Sequence, residues 1–98
     1  MPITIFRSHL NEDAADEYYP VAERMSALAQ TMPGYMAHKT FKAEDGERVT
    51  IVEFADEVSQ KNWAQHPEHC EAMKLGRKRF YDDYEIIVCD VKRRSKLG

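Results

Sequence analysis

The run Glu85-Ile86-Ile87-Val88-Cys89-Asp90-Val91 limits the fold more than any other stretch. Read as a strand, it puts Ile86 and Val88 on one side and Ile87, Cys89 and Val91 on the other, because successive side chains alternate between faces. Val49 to Phe54 behaves the same way, with Val49 and Ile51 opposing Val52 and Phe54. A sheet with one wet face alternates between apolar and polar positions; these strands do not, so both faces of their sheet need a cover. With 98 residues, the chain reads as one domain whose own core is modest, since a chain this short buries only about two thirds of its unfolded surface. Its helices can cover one face. The cheapest cover for the other is a second copy related by a two-fold axis, the facing sheets enclosing a layer ~10 Å thick. An obligate homodimer through the sheet face is therefore expected.

The remaining elements follow from periodicity and punctuation. Ile3 to Leu10 alternates as a strand. Asn11 or Asp13 can cap a helix, with Glu12, Asp13, Asp16 and Glu17 at the positive end of its dipole. Tyr18, Val21, Ala22, Met25, Leu28, Ala29 and Met32 then form one apolar stripe, which Pro33-Gly34 stops. Tyr35 to Lys42 and Val49 to Phe54 read as strands joined at Asp45-Gly46, residues suited to a tight turn. Asp56 caps a short helix through Trp63. The chain then breaks at His66, because a residue before proline avoids helical geometry, and Pro67 opens the next helix. That helix carries His69, Cys70, Met73, Gly76, Arg77 and Phe80, and the last strand follows. The order is β-α-β-β-α-β, an α+β ferredoxin-like fold: a four-stranded antiparallel sheet with helices on one face.

Composition narrows the function. A net charge of −3 gives no general attraction to nucleic acid. The basic residues Lys92, Arg93, Arg94 and Lys96 read as a flexible tail, about 93–98. No apolar run reaches the ~20 residues that cross a bilayer, and residues 1–10 lack the pattern of a signal peptide, so no membrane partner and a cytoplasmic location are expected. Cys70 and Cys89 have no metal or redox spacing and read as buried thiols.

The segment Trp63-x2-His66-Pro67-Glu68-His69-x2-Ala72-x3-Gly76-Arg77-x2-Phe80-Tyr81-x2-Tyr84, with Met32-Pro33-Gly34-Tyr35, Asp45-Gly46 and Val91-x-Arg93, resembles antibiotic biosynthesis monooxygenase (ABM) domain proteins over nearly the whole chain. The resemblance implies a dimeric α+β barrel. It also implies oxidation of a small aromatic, phenolic or quinol-type compound by molecular oxygen, with no metal or flavin cofactor. Other members of the wider group bind metabolites without an assigned reaction or degrade haem. Haem-degrading relatives share a helical tryptophan but place a histidine about three turns after it, where this chain has Met73, and an asparagine on the first strand, where it has Arg7 and His9. That disfavours haem. The adjacency of Asn62 and Trp63 also departs from the spacing in the best-understood polyketide oxidase.

Oxygenating a phenol without a cofactor needs a base, donors for a developing oxyanion and a dry chamber. His69 and His66 are the candidate bases, as imidazoles titrate near neutrality. His69 starts the stripe His69, Met73, Gly76, Phe80 that would face the sheet. Trp63 could stack on an aromatic substrate or plug the core. Tyr18, Asn62, Met73, Arg77, Tyr81 and Tyr84 are the candidate substrate contacts; packing competes for the tyrosines and Met73, and a surface ion pair for Arg77. Gly76 reads as a close-approach position. His66 and His69, at i and i+3, would need a third ligand to hold a metal. The competing functional reading is a non-catalytic, metabolite-binding or regulatory dimer.

Overall fold

A computed structural model describes all residues, Met1–Gly98. Strand β1 (Pro2–Leu10) is followed by a 3-10 turn (Glu12–Ala14) and α1 (Ala15–Thr31); β2 (Tyr35–Lys42) and β3 (Arg48–Phe54) form a hairpin; α2 (Glu57–Ala64) and α3 (Pro67–Leu75) run into a π-helical turn (Gly76–Phe80) and β4 (Tyr81–Asp90). The strands form one antiparallel sheet in the order β2-β3-β1-β4, the ferredoxin-like arrangement expected.

The helix boundaries have local causes. Asn11 Oδ1 accepts from the Asp13 amide at the first turn, and Asp56 Oδ1 accepts from the Ser59 amide at 2.8 Å. That bond holds the Asp56 carboxyl below its ordinary pKa. α1 ends before Pro33, and Gly34 takes φ +81°, a left-handed conformation that only glycine adopts freely. His66 and Pro67 separate α2 from α3, as the proline predicts.

Register assigns the two faces. The rows His38–Val52–Thr4–Val88, Thr40–Thr50–Phe6–Ile86 and Lys42–Arg48–Ser8–Tyr84 point toward the helices, because Val52 and Phe54 pack with Ala29 and Trp63. The opposite face carries Lys39–Ile51–Ile5–Ile87, Ala37–Glu53–Ile3–Cys89 and Phe41–Val49–Arg7–Glu85. No helix lies against it. The molecule is 20 Å thick, the depth of one sheet and one helix layer at ~10 Å each. Its core is correspondingly thin: Phe54, Phe80, Trp63, Ala14 and Ala29 are its buried hydrophobic side chains.

Three details differ from the sequence reading. β4 begins at Tyr81 rather than Glu85, so Tyr81 and Tyr84 belong to the sheet; the π-helical turn compresses the end of α3 and brings the strand forward. Cys89 is exposed on the bare face and Cys70 is half-buried, so neither is the buried thiol expected. The C-terminal residues form no regular element, yet Arg94 donates to Glu53 Oε1 at 2.8 Å and ties the basic tail to the bare face at that point. No helix is long and apolar enough to cross a membrane.

Candidate functional site

Trp63 lies near the end of α2 and is buried against Ala29 and Phe54, with Met25, Leu28 and Met32 around them. Both nearby histidines are arranged by the break that follows. His66 is the N-cap of α3: its Nδ1 accepts from the Glu68 amide at 3.1 Å. The neutral ring therefore carries its proton on Nε2, and the helix-start role weighed for His66 is the one it occupies. One turn on, the His69 ring stacks on the indole, with centroids 4.2 Å apart and planes 12° from parallel.

His69 Nδ1 lies 3.0 Å from the Trp63 carbonyl oxygen. A carbonyl only accepts, so Nδ1 holds the proton and Nε2 carries the lone pair. The sequence left open which nitrogen is free; this bond decides it. Burial lowers the His69 pKa, the Trp63 carbonyl partly offsets that by stabilising the imidazolium, and a charge on His66 lowers it further. His69 is thus neutral at pH 7, with Nε2 ready to take a proton.

A depressed folded-state pKa means that the stabilisation from neutral His69 is complete above the unfolded value of ~6.5 and is lost as pH falls through the folded value. Trp63 is the only tryptophan, and an imidazolium stacked on an indole quenches it. Trp63 emission is expected to fall with a midpoint below ~6.5. The transition should vanish in His69→Gln and persist in His66→Gln; a midpoint at or above that of a free histidine would contradict the assigned burial.

A second group forms around Tyr81. Its ring packs edge-on to Phe6 at 5.3 Å, to Tyr84 at 5.9 Å and to Tyr18 at 6.0 Å, while Tyr18 meets Phe80 at 5.7 Å. A Cβ on Gly76 would stand 2.6 Å from the Tyr81 ring, so glycine there allows the turn to sit on the tyrosine. Burial, then the neighbouring Tyr18, push the Tyr81 phenol well above its ordinary pKa, with Arg48 acting in the opposite sense. Tyr81 is a neutral hydroxyl, suited to donating a hydrogen bond.

These candidates do not converge on one point. Trp63 packs at the Phe54 end of β3 and the Tyr18–Tyr81–Tyr84 group at the Arg48 end, and a seven-residue strand spans about 20 Å. Asn62 is exposed on α2, and Met73 is half-buried on α3. Arg77 is exposed and lines an open groove of about 840 Å³ between α1 and α3, with Pro20, Met25 and Leu75.

Three arrangements escaped the sequence reading. Arg48 lies 5.5 Å from the Tyr18 ring and 5.8 Å from the Tyr19 ring, and its buried Nε has no hydrogen-bond partner. Its signal was available: it is the one charge in the helix-facing series Arg48, Thr50, Val52, Phe54. His38 bonds Ser26 Oγ through Nε2 at 2.9 Å and the Tyr35 hydroxyl through Nδ1 at 2.7 Å, clamping β2 to α1. His9 Nδ1 lies 2.9 Å from Asp83 Oδ1, which raises its pKa. No three His, Cys, Asp or Glu side chains gather as metal ligands.

Comparison with known proteins identifies the scaffold. No family model matches the chain. YqjZ of Bacillus subtilis, an uncharacterised protein, is 31% identical over 77 residues, which cover 79% of this chain and 68% of YqjZ. Among solved structures, SnoaB, a cofactor-independent oxygenase from Streptomyces nogalater, superposes with a TM-score of 0.79 at 17% identity over 95% of this chain and 94% of its own. A Deinococcus radiodurans protein provisionally called an antibiotic biosynthesis monooxygenase reaches 0.86 at 9% identity over 100% and 99%. The chain belongs to the same family as YqjZ and shares the fold of antibiotic biosynthesis monooxygenases of known structure.

Proposed function

We propose that the chain forms one domain, pairs through its bare sheet face and acts as a cofactor-independent monooxygenase on a small phenolic or quinol-type compound. The observation that carries this reading is His69: a neutral imidazole held by the Trp63 carbonyl, with Nε2 free, in a fold shared with a cofactor-independent oxygenase. The helix face supports it. The row Val52–Thr4–Val88 runs from beneath the Trp63 cluster, across two strand spacings of ~4.8 Å, to Val88, which is 54% exposed. Ile86, 47% exposed, adjoins it. A flat aromatic molecule would have an apolar floor there.

In this reading His69 Nε2 takes the phenolic proton, and the phenolate, richer in electrons, reduces oxygen. A carbon–oxygen bond forms at a ring C–H ortho or para to the phenolate, ortho in a hydroquinone, whose para carbon already bears oxygen. The resulting peroxide loses water and leaves a quinone carbonyl. One oxygen atom is retained, the other departs as water with two substrate hydrogens, and the substrate supplies all the electrons. The free Cys70 and Cys89 suit a reducing compartment such as the cytoplasm.

The test is oxygen uptake and product formation with a panel of hydroquinones and naphthols, aerobic against anaerobic. His69→Gln is expected to lower kcat by about 10²–10⁴, the usual worth of a positioned base, and His66→Gln far less. The stacking of His69 on Trp63 favours a second reading, a non-catalytic binding dimer in which the pair is simply core. Ligand-dependent thermal stabilisation without turnover would select it.

A further inference from the structure

We infer that a cavity at the Arg48 end of the sheet binds the carboxylate of a small aromatic acid. Arg48 and Lys42 are direct cross-strand partners on the helix side of β3 and β2. Like charges placed opposite one another on adjacent strands destabilise a sheet, and neither cation forms an ion pair with a carboxylate. Arg7, Arg24, Arg79 and Arg94 are each bound to a glutamate. Arg48 has no such partner, and its Nε is buried without any acceptor. A buried donor left unsatisfied is destabilising, and a bound oxyanion would supply the missing acceptor.

The cavity beside these cations has a volume of about 280 Å³ and is bordered by Leu10, Ala15 and Tyr19 as well as Lys42 and Arg48. An enclosed space of ~150 Å³ holds a benzene ring, so a benzoate-sized molecule fits. Tyr19 offers a ring face, and Arg48 already lies against Tyr18 and Tyr19, leaving its planar fork for a carboxylate. Glu12, Asp45 and Asp82 stand at the same cavity. Asp45 is engaged with the Glu47 amide and lies 4.0 Å from His9. Against Lys42 and Arg48 these three carboxylates leave the lining at about −1 with His9 neutral, which opposes a dianion such as phosphate more than a single charge held directly by Arg48 and Lys42. His9, whose pKa is raised by Asp83, adds positive charge at mildly acidic pH.

The proposal is independent of oxygen chemistry and of His69, so it can fail while the oxidation reading stands. The test is NMR titration of the Arg48 Nε–H with 4-hydroxybenzoate, with inorganic phosphate, and with chloride at matched ionic strength, all under nitrogen. A saturable shift with 4-hydroxybenzoate is expected, weaker with phosphate and absent with chloride. Calorimetry should show Kd rising at least about tenfold in Lys42→Gln and binding lost in Arg48→Gln. If Arg48→Gln does not fold, the exposed Lys42→Gln carries the comparison. A response equal to that of chloride, or an unchanged Kd in Lys42→Gln, overturns the site. Tighter binding of phosphate than of 4-hydroxybenzoate overturns its assignment to an aromatic carboxylate.

Discussion

Gly34→Ala is expected to destabilise the fold by about 3–5 kcal/mol, the sum of left-handed backbone strain and overpacking. Gly34 has φ +81°, and a Cβ there would overlap Ser59 Oγ and stand 2.5 Å from Ser59 Cβ. Neither neighbour can yield cheaply. Ser59 is buried in the first turn of α2, its amide held by Asp56, and the Gly34 carbonyl accepts from the Ala55 amide at 2.8 Å. One residue thus ends α1, starts β2 and seats α2. In a domain of this size each kcal/mol moves Tm by about 4–8 °C, so a fall of roughly 12–40 °C is expected. The double variant Gly34→Ala/Ser59→Gly separates the causes: it should recover the steric part, about 1–3 kcal/mol, and leave the backbone part. A Tm for Gly34→Ala within a degree or two of the parent would mean that α2 does not sit on this turn.

That turn was legible because its signal is local. Pro33-Gly34 cannot continue a helix, whatever the rest of the chain does. The same holds for the break at His66-Pro67, for the Asp56 cap and for the two-faced strands, which show in the sequence as unbroken apolar runs. The chemistry of the site is less local. Whether His69 Nδ1 or Nε2 is free depends on a carbonyl six residues earlier, which meets the ring only after α2 and α3 turn against each other. Tyr81 and Tyr84 fall between a helix read as far as Phe80 and a strand read from Glu85; the π-helical turn adds a residue that no periodicity announces, and β4 starts at Tyr81. Arg48 stands between the Asp45-Gly46 turn and the apolar run from Val49, where a charge carries no local signal. Its significance comes from register, which puts it opposite Lys42 and beneath Tyr18.

Ile51→Asp is expected to abolish the proposed pairing through the bare face and leave monomers. Ile51 lies in the central row Lys39–Ile51–Ile5–Ile87 of the bare face, flanked by Val49, Phe41 and Ile3 on neighbouring rows. A face with this many aliphatic side chains and no helix over it matches the interior of an obligate interface better than a monomer's surface. In a two-fold dimer each substitution enters the interface twice. An aspartate buried there without a partner costs at least ~2–3 kcal/mol per copy, so about 4–6 kcal/mol per dimer, or a rise in Kd on the order of 10³–10⁴. Val88→Asp is the matched control. Val88 is exposed, but it points to the helix side, so a charge there should leave the assembly intact. Sedimentation velocity at micromolar concentration decides the matter. A parent chain that sediments as a monomer, or an Ile51→Asp chain that stays dimeric, would refute pairing through this face. The thin core makes pairing consequential for folding as well: with few side chains fully enclosed by one copy, separating the copies should lower stability and make Tm rise with protein concentration in the parent but not in Ile51→Asp.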